Sequence, residues 1–136
     1  MFPYVTTTTA GFILILQLLL AFTVSGGRGK VDTWVGAGGH APLERAIRRH
    51  GNLAENAGIF VVGFLLLELS RFSATLLVSL CVAFVVVRLF HAVGLSRENT
   101  NNPLRLIGGV GTYLTGLTLG GTLVWVGARA AIGSMQ

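Results

Sequence analysis

Two stretches of the chain, Met1 to Gly27 and Leu106 to Ala128, carry no charged side chain. Each is long enough to cross the hydrocarbon of a bilayer, which takes about 20 apolar residues in helical form. Phe72 to Val87 comes close to the same length. Runs of this length read as membrane-spanning helices. The composition agrees: 52% of the 136 residues are hydrophobic and 11% charged, against about 25% charged in soluble domains.

A fourth span must include polar side chains. It runs from about Pro42 to Leu69, and its charge-free part, Asn56 to Leu67, is too short to cross alone at about 1.5 Å of rise per residue. The segment Glu44-Arg45-Ala46-Ile47-Arg48-Arg49-His50-Gly51-Asn52-Leu53-Ala54-Glu55-Asn56 leads into that run without a break, so Arg48, Asn52 and Glu55 fall near or inside one leaflet. The expectation is an all-α integral membrane protein: one four-helix transmembrane bundle over 1–136, with helices at about 4–25, 42–69, 73–95 and 103–130.

Basic residues set the expected orientation. Arg28, Lys30, Arg45, Arg48 and Arg49 flank the first connection, Arg97 and Arg105 flank the third, and only Arg71 and Arg129 lie toward the other side. The first and third loops are therefore expected in the cytoplasm and both termini outside it. Met1 to Tyr4 lacks the positive start of a signal peptide, so the first apolar segment reads as a retained helix. The net charge of +5 follows from this topology and does not call for nucleic acid, since no basic platform interleaved with aromatics is present. Cys81, the single cysteine, reads as a packing residue in an apolar helix.

Turn chemistry marks the connections. Gly26-Gly27-Arg28-Gly29-Lys30 is expected to end the first helix, and Gly36-Ala37-Gly38-Gly39 precedes Pro42, making a long, flexible first loop. Ser70-Arg71-Phe72-Ser73 makes the second. Asn99-Thr100-Asn101-Asn102-Pro103 makes the third, with Asn102 placed as N-cap and Pro103 in the first helical position. In the fourth helix, Gly116-x-x-x-Gly120 is expected to allow close helix approach.

On the second helix, at about 100° per residue, Asn52 lies about 40° to one side of Arg48 and Glu55 about 20° to the other. One narrow stripe then carries cation, amide and carboxylate, continued by apolar Ile59, Val62, Gly63 and Leu66. Such a stripe suits a ligand with a polar head and a lipophilic companion. A structural alternative is that Arg45 and Arg49 reach the headgroups while Glu55 pairs with Arg48 or Arg88. Arg88 and His91 share a face at the end of the third helix. The three histidines, His40, His50 and His91, show no spacing that demands a metal. Arg105, in the first turn of the fourth helix, adds its charge to the free N–H groups and positive dipole end there, a site for an anion such as a thiolate.

Taken together, Glu44-Arg45-x-x-Arg48-x-His50-x-Asn52-x-x-Glu55, Arg88-x-x-His91 and Pro103-Leu104-Arg105, in a four-span chain of this size, resemble the membrane-associated proteins in eicosanoid and glutathione metabolism (MAPEG), which include microsomal glutathione transferases. The resemblance implies a homotrimer with glutathione sites between subunits near the cytoplasmic face. It assigns Arg48 to a glutathione carboxylate, Glu55 to the γ-glutamyl ammonium and Asn52 to amide contacts. His50, Arg28, Arg88 and His91 join the glutathione-binding set, and Arg105 becomes the catalytic residue that stabilises the thiolate. Two positions depart from the family pattern: Asn56 stands where many members carry an aromatic, and Leu95 where many carry a tyrosine. Neither Tyr4 nor Tyr113 replaces them by sequence position.

The implied activity is a membrane-bound, detoxifying glutathione transferase that joins the glutathione thiolate to lipophilic electrophiles, with a possible glutathione peroxidase activity on lipid hydroperoxides. Glutathione would be co-substrate, with no metal; the other partners are the electrophile or hydroperoxide, membrane lipid and two further copies of the chain. The alternative is a non-catalytic lipid-binding or scaffold protein of the same fold. A transporter subunit using Glu55 as a proton relay finds no support, because broken helices and inverted repeats are absent from the sequence pattern.

Overall fold

The computed structural model describes residues 2–99 and 101–134; Met1, and Thr100 of the third connection, lie outside the described residues. Four helices follow one another: α1 (Tyr4–Val31), α2 (Ala41–Ser70), α3 (Ala74–Ser96) and α4 (Pro103–Gly133). Each is long and apolar enough to span a membrane, and the chain is an integral, multi-pass membrane protein. Large apolar side chains such as Phe12, Phe22, Leu117 and Val124 point outward, as a bilayer allows and water does not.

Caps account for most boundaries. Asn102 accepts the backbone N–H of Leu104 at 2.9 Å, with Pro103 in the first helical position, as its sequence predicts. Ser73 caps α3 by accepting the N–H of Leu76 at 3.2 Å, and Arg71 ends α2 in the left-handed region at φ 54°. The first helix departs from expectation. It runs through Gly26, Gly27 and Gly29 and stops only at Asp32, whose N–H bonds the Arg28 carbonyl. Gly27 lies against Leu43 of α2, so close that a Cβ there would stand 3.0 Å from the leucine Cδ1. Gly27 serves helix docking, which offsets a glycine cost of about 1 kcal/mol in a helix interior, whereas a Cβ on Gly26 or Gly29 would meet nothing within 4 Å.

The core lies where α2 and α3 meet. Phe60 stacks on Phe84 with ring centroids 4.1 Å apart, and Phe64 meets Phe84 edge-on at 5.7 Å. Around them Leu53, Leu67 and Leu77 are almost wholly buried. The close approach between α3 and α4 is made elsewhere than at Gly116 and Gly120. A Cβ on Gly120 would meet nothing within 4 Å, and one on Gly116 would touch only the Phe60 ring. Gly108, by contrast, sits against the backbone of His91, and Gly94 against the backbone of Arg105. These two contacts set α3 and α4 side by side at the arginine-rich end. At the opposite end, the buried carboxylate of Glu68 bonds the first N–H groups of α1.

Candidate functional site

The start of α2, the end of α3 and the start of α4 converge on a cleft of about 860 Å³. Helical spacing brings Arg48, Asn52 and Glu55 to its α2 wall; His91 and Leu95 come from α3, and Arg105 and Tyr113 from α4. Two ion pairs and a hydrogen bond hold this end of the bundle. Arg48 Nε donates to Glu44 at 2.8 Å, Arg45 to Glu98 at 3.3 Å, and Arg49 Nη1 to the Ser96 hydroxyl at 2.8 Å. The second ties the connection after α3 onto α2, and the third ties the last residue of α3 to it.

Glu55 is exposed on the cleft wall, and among the described residues no basic group lies within ion-pair distance of it. The structural alternative of a pair with Arg48 or Arg88 is thus not formed: Arg48 takes Glu44, and Arg88 lies deeper. Arg88 is 3% exposed. Its guanidinium donates to Thr112 Oγ1 at 3.1 Å and to Asn52 Oδ1, so it stands behind Asn52 and outside the cleft lining.

His91 Nδ1 lies 3.2 Å from the carbonyl oxygen of Arg105. A carbonyl only accepts, so Nδ1 carries the proton and Nε2 is the nitrogen left for other partners. The bond joins α3 to the first turn of α4 and, with the Gly94 and Gly108 contacts, fixes the backbone that carries Arg105. The Arg105 side chain is exposed on the cleft surface. Positive charge from the guanidinium and the helix start is thereby directed at one place.

Besides Arg88, two of the sequence-derived residues lie off this cleft. His50 is on the side of α2 that faces α1, where its carbonyl accepts from Gln17 Nε2 at 3.4 Å, and Arg28 sits half-buried near the end of α1. Tyr113, set aside by sequence position, lines the cleft and also an adjoining hollow of about 580 Å³ that shares His91 and Arg105. The signal was its place eight residues after Arg105, about 80° round the helix and two turns deeper. Asn56 is turned back on its own helix, donating to the Asn52 carbonyl at 2.8 Å.

Four membrane helices with a cleft at one end lined by Arg48, Arg105 and Glu55 define an integral, multi-pass membrane protein. The chain belongs to the MAPEG family, whose model matches residues 6–129, nearly its whole length. No curated protein and no solved structure matches it. Membership makes it a membrane protein of the glutathione and eicosanoid metabolism family.

Proposed function

We propose that the chain is a membrane-bound glutathione transferase. The observation that carries this reading is the cleft's charge pattern: Glu55 stands without a cationic partner in its protomer among the described residues, within a wall otherwise supplied by Arg48, Asn52 and Arg105. A wall of donors with one carboxylate complements glutathione, an anion with two carboxylates and one ammonium. Glu55 receives the ammonium, Arg48 a carboxylate, Asn52 an amide or carboxylate oxygen, and Arg105 the sulfur.

Arg105 and the start of α4 favour the thiolate over the thiol, lowering a pKa from about 8.5 toward neutrality and raising the nucleophilic fraction. The sulfur then bonds to the electrophilic carbon, the leaving group departs with the bonding pair, and the thiol proton passes to water at the cleft mouth. A lipophilic acceptor enters from the bilayer through the hollow bordered by Leu106, Val110 and Tyr113. With a lipid hydroperoxide, two glutathione thiols are oxidised to the disulfide while the peroxide yields alcohol and water. In the homotrimer that the family resemblance implies, Arg28 and His50, which lie away from the cleft of their own protomer, would serve that of a neighbour. The arginine-rich loops lie in the cytoplasm, where glutathione is abundant, and both termini on the other side.

A scaffold member of the fold has no need of a cation aimed at a sulfur, which favours the enzyme over the non-catalytic alternative. Turnover of a chromogenic lipophilic electrophile by the purified protein tests the choice. Glutathione-dependent conjugation lost in Arg105→Ala supports the transferase; saturable glutathione binding with no turnover of any electrophile supports the scaffold.

A further inference from the structure

Arg88 is the most deeply buried charged group of the protomer among the described residues, and no carboxylate lies within 4.0 Å of it. Its Nε has no hydrogen-bond partner among the described residues. A cation taken out of water in this way carries a desolvation cost that packing alone leaves unexplained. A guanidinium has N–H donors and no acceptor, so both atoms it meets must accept. One is Thr112 Oγ1 at 3.1 Å, whose own proton goes to the Gly108 carbonyl at 2.7 Å. The other is Asn52 Oδ1. The direction of every bond in this network is therefore fixed.

With Oδ1 held inward by Arg88, the group that Asn52 has left for the cleft is its NH₂. We propose that Arg88 is a positioning residue that makes Asn52 a donor-only group in the cleft wall, so that the ligand must present a carbonyl or carboxylate oxygen there. Arg88 itself touches no ligand. The proposal deepens the glutathione reading and rests on it for the identity of that ligand.

Asn52→Asp separates positioning from simple packing. The carboxylate keeps the shape and gives Arg88 an ionic partner, while the cleft face of the side chain changes from donor to acceptor. In the purified full chain in detergent, thermal unfolding is expected to move upward while glutathione binding, read by calorimetry, weakens about tenfold or more. Arg88→Met releases the amide and is expected to weaken binding about tenfold, with Arg88→Lys, which keeps a charged donor, recovering most of the loss. The double variant Arg88→Met with Asn52→Ala should bind no worse than Asn52→Ala alone. Losses that multiply in the double variant, or wild-type binding in Asn52→Asp, would overturn the proposal. A second readout needs no ligand: the ¹⁵N side-chain amide signal of Asn52, assigned by its loss in Asn52→Ala, should shift in Arg88→Met. An unmoved signal refutes the positioning role, whereas a moved signal in a protein that binds no glutathione leaves the positioning intact and refutes the glutathione reading alone.

Discussion

The carboxylate of Glu68, near the end of α2, accepts the backbone N–H of Thr6 at 2.8 Å, across 62 residues of sequence. Its other oxygen accepts the N–H of Val5 at 3.0 Å. The first N–H groups of a helix have no partner within it, and Pro3 supplies no side-chain cap to α1. A carboxylate from the neighbouring helix does so instead, in a buried place where the helix dipole favours negative charge.

Removing that carboxylate should therefore loosen α1. Glu68→Ala is expected to lower unfolding free energy by about 2 kcal/mol, and Glu68→Gln by about half as much because its amide oxygen still accepts one bond. Unfolding in mixed detergent measures both. Glutathione affinity should stay unchanged, since the cleft lies at the opposite end of the bundle.

Glycine substitutions separate packing at the site from packing elsewhere. A Cβ on Gly108 would stand 2.5 Å from the backbone nitrogen of His91, which cannot turn aside as a side chain can. Gly108→Ala should cost about 1–3 kcal/mol and part α3 from α4 where Arg105 is held, lowering conjugation rate as well as stability. Gly120→Ala, with nothing within 4 Å, should be neutral or stabilising by up to about 1 kcal/mol. Thermal unfolding of the two variants side by side checks the contrast.

Glu55→Gln should weaken glutathione binding about tenfold or more by removing the partner of its ammonium, while the size of the purified particle stays that of the wild type. Calorimetry and size-exclusion chromatography read the two effects. A smaller particle would instead make Glu55 a structural residue at a subunit contact of the proposed homotrimer.

Three of the four spans were legible from charge-free length, because lipid leaves the backbone few options, and the second only by letting its polar start at Glu44 to Glu55 join the short apolar run that follows. The stripe Arg48, Asn52 and Glu55 was legible from helical spacing, and Arg105 from its place after an N-cap and a proline. What escaped depends on contacts between helices. Nothing local shows that Gly27, near the end of α1, packs against Leu43 and that the helix runs on through its glycines. Nor does spacing show that Gly108, and not Gly120, marks the tight crossing. Tyr113 was judged by its place in the chain, while its place in the cleft follows from how α4 docks. Glu68 carried a readable signal, since a carboxylate within a membrane helix always asks for a partner, but the partner was backbone and left no mark in the sequence.

Ultraviolet absorbance of the thiolate on mixing glutathione with the purified protein tests the central claim most directly. At neutral pH the wild type should show a saturable thiolate signal, with the sulfur half-ionised well below the free value of about 8.5. Arg105→Ala should bind glutathione yet lose that signal. No saturable signal in the wild type, or an undiminished one in Arg105→Ala, would contradict the assignment of Arg105 to the sulfur.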